Sequence, residues 1–356
     1  MINYGNAPLA DEIEITIFGP GFGEAIAVHV GGGNWLLVDS CIDPDAKLPA
    51  SLAYLNKIGV LSNQVKIILA SHWHDDHVRG ISDLAKYYPD ADFMLSAALN
   101  NKEAAAFVSA HNGTIAPSLS RGTNELYNAI KQRDKVIPVM QRSAVLELTA
   151  NGRNVRVAAL SPVPEAFSQS IANFAQYLPQ KTGESPINHA PELKPNLEAV
   201  AIHIDFDGDA ALLGSDLEEH HSCGWSAVVE NEWCGAKKPG SAYKVAHHGS
   251  RTGEHSKIWA SLLTPNPTVC MTPFNQGSVK LPTDEDKIRI NNRSQSAYIS
   301  SGATKRPNMD SAILKRLGDV CNNLVPVNSG FGAVRLRKVV GSCSWNTELF
   351  GNACEL

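Results

Sequence analysis

The stretch IILASHWHDDHVRG, Ile67 to Gly80, limits the fold of this chain more than any other. An apolar, strand-like run ends abruptly in three histidines and two aspartates within six residues. Residues i and i+2 of an extended segment point to the same side, so His72 and His74 share one target at the strand's end. Asp76 and His77 fall where the chain turns into the next helix, and they face the same cavity from another angle. Neutral imidazole nitrogen and carboxylate oxygen are the donors a borderline metal such as zinc takes. Four such groups on one short loop suit two adjacent metals better than one. The competing reading, a polar helix start with solvated histidines, does not account for so dense a cluster.

The segments around this loop alternate strands with glycine turns and then with helices. EIEITIF, AIAVHV and WLLVDS read as strands joined by GPGFGE and GGGN turns. LPASLAYLNKIG has helical spacing and QVKIILAS returns to strand, a β-meander running into a βαβ unit. ISDLAKYYP, NKEAAAFVSAHNG and GTNELYNAIKQRD read as helices, DFMLSA as a strand, and AVLEL with NVRVAALSP as a hairpin. The second half repeats the theme: LEAVAIHIDF, AALLGSD, AYKVAHH, TVCMTPF and GAVRLRKVV as strands, and parts of LEEHHSCGWSAVVENEW and GEHSKIWASLL as helices. Each half holds a strand ending in an aspartate, WLLVDS and AALLGSD. Two similar β-rich halves packed face to face, with helices outside, are expected. The whole chain, residues 1–356, reads as a single domain. Two stretches, 161–196 and 275–310, are rich in proline or polar residues and read as loop insertions without regular structure.

Composition narrows the class. The net charge of −5 predicts no strong attraction to membrane surfaces or long nucleic acid. Seven cysteines, an odd number with no CxxC pair, suit a reducing compartment. No basic-then-apolar leader opens the sequence, and no apolar run reaches membrane-spanning length. A cytoplasmic enzyme without membrane contact is the expectation.

The run His72-Trp73-His74-Asp75-Asp76-His77 matches the pattern HxHxDH and so resembles the metallo-β-lactamase superfamily. LLVDS, LLGSD and KVAHHGS follow in the family's order. FGPGFGEA, NLEAV before LLGSD, and HHGS resemble most the hydrolase domain of ComEC-type DNA-uptake proteins and their free-standing relatives. The resemblance implies an α/β (α+β), four-layer αββα sandwich with a dinuclear site between the sheets. It further implies that His72 and His74 hold one metal, that Asp76, His77 and His247 hold another, and that Asp216 bridges them. Asp39 would support the loop from behind. The sequence departs from the family at the third ligand of the first metal, where Asn196 stands, with His189 as a nearby alternative. Leu281 replaces a histidine that relatives often carry. Arg251 is a candidate contact for a substrate phosphate.

The expected activity is hydrolysis of phosphodiesters, in a nucleic acid or nucleotide, by a hydroxide bridging two divalent ions. Zinc is the first choice, with manganese or iron as alternatives. Asp76 and His248 are the expected catalytic residues, His248 as proton donor to the leaving group or as a substrate contact. Hydrolysis of carboxylic esters, thioesters, lactones or β-lactams is the rival within enzymes, because the same site polarises a carbonyl. A non-catalytic interaction module is the rival from another class. It is disfavoured because an idle cluster of buried histidines and carboxylates is costly.

Overall fold

The computed structural model describes residues 2–20, 22–99, 117–176, 195–231, 236–302 and 330–356. Two eight-stranded sheets dominate it. The first runs, in spatial order, Asn346–Gly351, Gly332–Val339, Glu12–Gly19, Ala25–His29, Trp35–Val38, Val65–Ala70, Asp92–Ser96 and Val136–Val139. The second runs Cys354–Glu355, Ala297–Ile299, Leu263–Met271, Gly240–Lys244, Ala210–Leu213, Ile202–Asp205, Arg153–Ala159 and Ala144–Ala150.

Alternation along each strand decides which layer it feeds. Ile13, Ile15 and Ile17 point between the sheets, where Leu36, Val38, Ile67 and Leu69 join Val157, Ile202, Ile204 and Leu213 of the opposite sheet. Phe18, Trp35, Leu37 and Ile68 point outward, under helices Ala50–Lys57 and Ile81–Tyr87. Leu212, Tyr243 and Val269 of the second sheet pack outward on Trp225, Val228, Ile258 and Ile290. The expected four-layer αββα sandwich follows. Glu14, on the outward side of its strand, is buried yet satisfied: its carboxylate accepts from Thr16 Oγ1 (2.7 Å), Tyr54 OH (2.5 Å) and Arg337 Nη2 (2.6 Å).

Both sheets contain a parallel block. Trp35–Val38 pairs in parallel with Val65–Ala70, and that strand with Asp92–Ser96. Ala210–Leu213 pairs in parallel with Gly240–Lys244, and that strand with Leu263–Met271. The loops leaving the carboxyl ends of these strands carry Asp39, the 71–77 segment, Asp216 and the 247–248 pair. In open α/β sheets such ends are where ligands bind.

The two expected loop insertions are more regular than their composition suggests. Residues 161–196 include the helix Pro164–Gln176, with proline at its first position, where the missing N–H costs nothing. Residues 275–310 include all but the first residue of the hairpin Phe274–Gln276 and Val279–Leu281, the helix Asp284–Asn291 and the strand Ala297–Ile299. Thr283 starts that helix by accepting from the Asp286 backbone, while Asp286 reaches back to Thr283. Polarity there marks a capped surface helix. GTNELYNAIKQRD falls largely within the helix Pro117–Lys131. GEHSKIWASLL yields only one π-helical turn, Ile258–Leu262, before the next strand. His220 and His221 lie in irregular chain, not on a helix face. NKEAAAFVSAHNG and His189 lie outside the described residues.

Candidate metal centre

Chain direction at the strand ends explains how the cluster assembles. After Val65–Ala70, Ser71 leaves the strand and His72 and His74 follow on extended backbone. A single turn, Asp75–Val78, then carries Asp76 and His77. All but His74 are buried. Three sets of donor atoms lie within 4.8 Å of one another: Asp76, His77, Asp216 and His248; His72, His74 and Asp216; and Asp39, His72 and His77. Asp216 belongs to two of them. His77 Nε2 is 3.3 Å from Asp216 Oδ2 and 3.4 Å from Asp76 Oδ2. His248 Nε2 is 3.2 Å from each of the same two carboxylates.

Hydrogen bonds on the far side of each ring fix which nitrogen faces the cavity. Asp39 accepts from the Ser71 backbone N–H and from the Ser71 hydroxyl, each at 2.7 Å. It also accepts from His77 Nδ1 at 2.8 Å. Because the Ser71 hydroxyl donates to Asp39, its oxygen accepts from His72 Nδ1 at 3.0 Å. One buried carboxylate therefore orients two rings and leaves both Nε2 atoms inward. His248 Nδ1 donates to the Thr272 carbonyl at 3.1 Å, with Thr272 Oγ1 at 3.0 Å, so its Nε2 also faces inward.

The histidine pair is the principal correction. Sequence spacing places His247 in the cluster and leaves His248 free; the structure places His248 there. Both residues adopt left-handed backbone, His247 at φ 47°, ψ 53° and His248 at φ 53°, ψ 24°. Such a turn breaks the strand alternation on which the expectation rests. His247 instead stands beside the cluster, 17 % exposed, with Nδ1 2.8 Å from Thr252 Oγ1 and 3.2 Å from Glu218 Oε1. The expected proton-donor place of His248 fails with it, since its ring is buried and its Nε2 faces Asp76 and Asp216 inside the cluster.

Asn196 lies next to this pair. Its Nδ2 donates to Glu218 Oε1 at 3.0 Å and meets His247 Nε2 at 3.3 Å, which leaves its buried Oδ1 without a hydrogen-bond partner among the described residues. His203, a third histidine near this strand, points away and meets the Lys238 carbonyl at 2.7 Å. Arg251 is exposed on the short turn after the pair.

The electrostatics are those of a site built around cations. Burial opposes charge on His77, but Asp216, Asp76 and Asp39 outweigh it and hold that imidazole well above its ordinary range. Burial likewise opposes charge on His248, yet Asp216 and Asp76 push it up to about 9. Asp76 and Asp216 are correspondingly held well below the usual carboxylate range, the two imidazoles overcoming burial. Burial pushes His72 and His74 down, so these two rings are neutral donors.

The donor set fits divalent ions. Asp216 Oδ1 and Asn196 Oδ1 are buried and lack hydrogen-bond partners among the described residues, and buried His77 Nε2 faces the carboxylates of Asp76 and Asp216. Native interiors leave few such atoms, and here they adjoin one cluster of imidazoles and carboxylates.

The sequence reading missed a buried network behind the cluster. Lys244, at the end of its strand, places Nζ 2.7 Å from Glu24 Oε2 and 3.8 Å from Asp216 Oδ1, and donates to the Ser215 carbonyl at 3.1 Å. A lysine ending an apolar strand just before a histidine pair is the signal that was available.

Residues 18–121 match the family model of the metallo-beta-lactamase superfamily. No curated protein matches the sequence. Among solved structures, the chain is similar to the metallo-beta-lactamase fold protein YhfI from Bacillus subtilis, at 12 % identity and TM-score 0.39, over 81 % of this chain and 95 % of that one. It is similar to a putative metallo-beta-lactamase from Thermotoga maritima at 12 % identity and TM-score 0.34, over 62 % and 86 % of the two chains. It is also similar to a HARLDQ-motif mutant of a metallo-beta-lactamase from Cronobacter sakazakii, at 15 % identity and TM-score 0.33. That match covers 56 % of this chain and only 60 % of the other.

Proposed function

We propose that the chain, whose residues 18–121 match the family model of the metallo-beta-lactamase superfamily, is a dinuclear metal-dependent hydrolase of phosphodiesters. The observation that carries the metal reading is the quartet Asp76, His77, Asp216 and His248, which shares Asp216 with His72 and His74. The quartet would hold one ion. His72, His74 and Asp216 would hold the other, with Asn196 Oδ1 as the remaining donor. Zinc is the ion that this mixture of imidazole and carboxylate suits best. Bound there, divalent ions would supply an activated water and neutralise charge on the attacked centre.

The protein's own groups have separable tasks. Asp39 holds two rings in one tautomer. His247, partly exposed beside Asn196 and Glu218, would take the role expected of His248, as proton donor to the leaving group or as a substrate contact. Arg251 remains the candidate contact for a substrate phosphate. The choice of phosphodiester is supported by the ComEC-type resemblance of FGPGFGEA, NLEAV, LLGSD and HHGS. Carboxylic esters, thioesters, lactones and β-lactams are the alternative. No helix among the described residues is long and apolar enough to cross a membrane.

The test is elemental analysis of protein purified without chelators, followed by a panel of bis-p-nitrophenyl phosphate, single-stranded DNA, a lactone and nitrocefin. Up to two metals per chain and turnover of the two phosphodiesters are expected. Protein that stays metal-free on reconstitution would remove the metal reading, and turnover confined to the lactone or nitrocefin would remove the phosphodiester.

A further inference from the structure

Glu24 immediately precedes the strand Ala25–His29 and is fully buried, 0 % exposed. Three of its contacts lead to three different members of the metal quartet. Its backbone N–H donates to the Asp76 carbonyl at 2.8 Å. Its Oε2 takes Lys244 Nζ at 2.7 Å, and that ammonium stands 3.8 Å from Asp216 Oδ1. The same Oε2 accepts the Thr272 hydroxyl at 2.5 Å, and Thr272 Oγ1 lies 3.0 Å from His248 Nδ1. Since the Thr272 hydroxyl donates to Glu24, its oxygen can only accept from His248. The ring's proton is then on Nδ1 and its Nε2 lone pair faces the cavity.

The charges say what this arrangement prevents. A buried ammonium beside Asp216 competes with any cation for that carboxylate. Glu24 is the nearer anion by more than an ångström, so it engages the ammonium and leaves Asp216 Oδ1 without a hydrogen-bond partner. We propose that Glu24 is a positioning residue of the metal centre, which draws Lys244 away from Asp216 and, through Thr272, sets the tautomer of His248. The proposal rests on the metal reading above. Partners behind metal ligands of this kind are commonly worth about 10- to 100-fold in affinity.

Zinc titration against a chromophoric chelator, with circular dichroism of the metal-free protein as the fold control, tests it in four proteins. Wild type should take up zinc; wild type that takes up none would sink the metal reading and this proposal with it, whereas zinc-binding wild type leaves the variants below to test the proposal alone. Glu24→Gln should fold and bind zinc about 10- to 100-fold more weakly, because Lys244 then turns to Asp216. Glu24→Gln with Lys244→Met should bind more tightly than Glu24→Gln alone, since the competing ammonium is gone. A merely structural glutamate would give no such rescue. Thr272→Val, which keeps the ion pair and cuts the link to His248, should also weaken zinc. Should Glu24→Gln not fold, Thr272→Val decides, and its binding zinc like wild type overturns the proposal. If Glu24→Gln folds and binds like wild type, or the double variant binds no more tightly than Glu24→Gln, the proposal is likewise overturned.

Discussion

His247 and His248 are neighbours in sequence and differ in nearly everything they touch. The residue types of the site were legible from the HxHxDH run, because two spacings and four donors leave little else for them to do. The order of this pair was not, because it depends on a left-handed turn that costs about 1–2 kcal/mol per non-glycine residue and that no local pattern announces. His248→Ala should lose at least one metal and nearly all turnover. His247→Ala should keep both, with a rate loss that shrinks for p-nitrophenyl leaving groups, which need no proton; metal titration of the two variants checks this. The pH behaviour follows from the same rings. In metal-free protein His248 titrates at about 9, above the ordinary 6.5, and His77 is also raised. The contribution of His248 to stability is full below 6.5 and is lost as pH rises through about 9, and that of His77 is likewise full below 6.5 and lost on the alkaline side. Asp76 and Asp216, held below the ordinary 3.8, contribute above that value and lose it as pH falls. Metals need these imidazoles deprotonated. Zinc uptake should therefore release protons below pH 9 and tighten as pH rises towards it, which calorimetry in buffers of different ionisation enthalpy would measure.

Strands and their closing loops set the tolerance of the site to change. Alternating isoleucines made EIEITIF readable as a strand, and apolar runs that end in aspartate or histidine did the same for strands of the parallel blocks. The segments misread as loops failed because a capped helix such as Asp284–Asn291 carries hardly any apolar face, and helix there is specified by Thr283 and Asp286. A tight joint in the site is where Gly214, just past one strand, meets Ala246, just past the next. A Cβ at Gly214 would fall 2.8 Å from the Ala246 Cβ and 2.9 Å from its backbone nitrogen. Gly214→Ala must therefore separate these neighbouring strand ends, one of which leads straight to Asp216. We expect a loss of about 1–3 kcal/mol by urea unfolding, with weaker zinc binding.

At the scale of the whole molecule, the site is shared between sheets: His72 to His77 come from the first, Asp216 and His248 from the second. An ion held by both ties their stabilities together. Zinc at 100 times its Kd should add about 2.7 kcal/mol and raise Tm, and Asp216→Ala should abolish the rise in a thermal scan. The sheet that carries the metal loop has a further property. Its strand Glu12–Gly19 lies between Ala25–His29 and Gly332–Val339, and the register joins Glu12 to Val339. A ribosome delivers one of these partners almost at once and the other hundreds of residues later. Throughout that interval one edge of Glu12–Gly19 stands open, a row of unpaired donors and acceptors that other chains can join. The early half of the protein is therefore a nascent product in need of shelter until its last strands emerge. Removing residues 332–356 should shift the protein from the soluble to the pelleted fraction of a cell lysate, whatever metal is supplied.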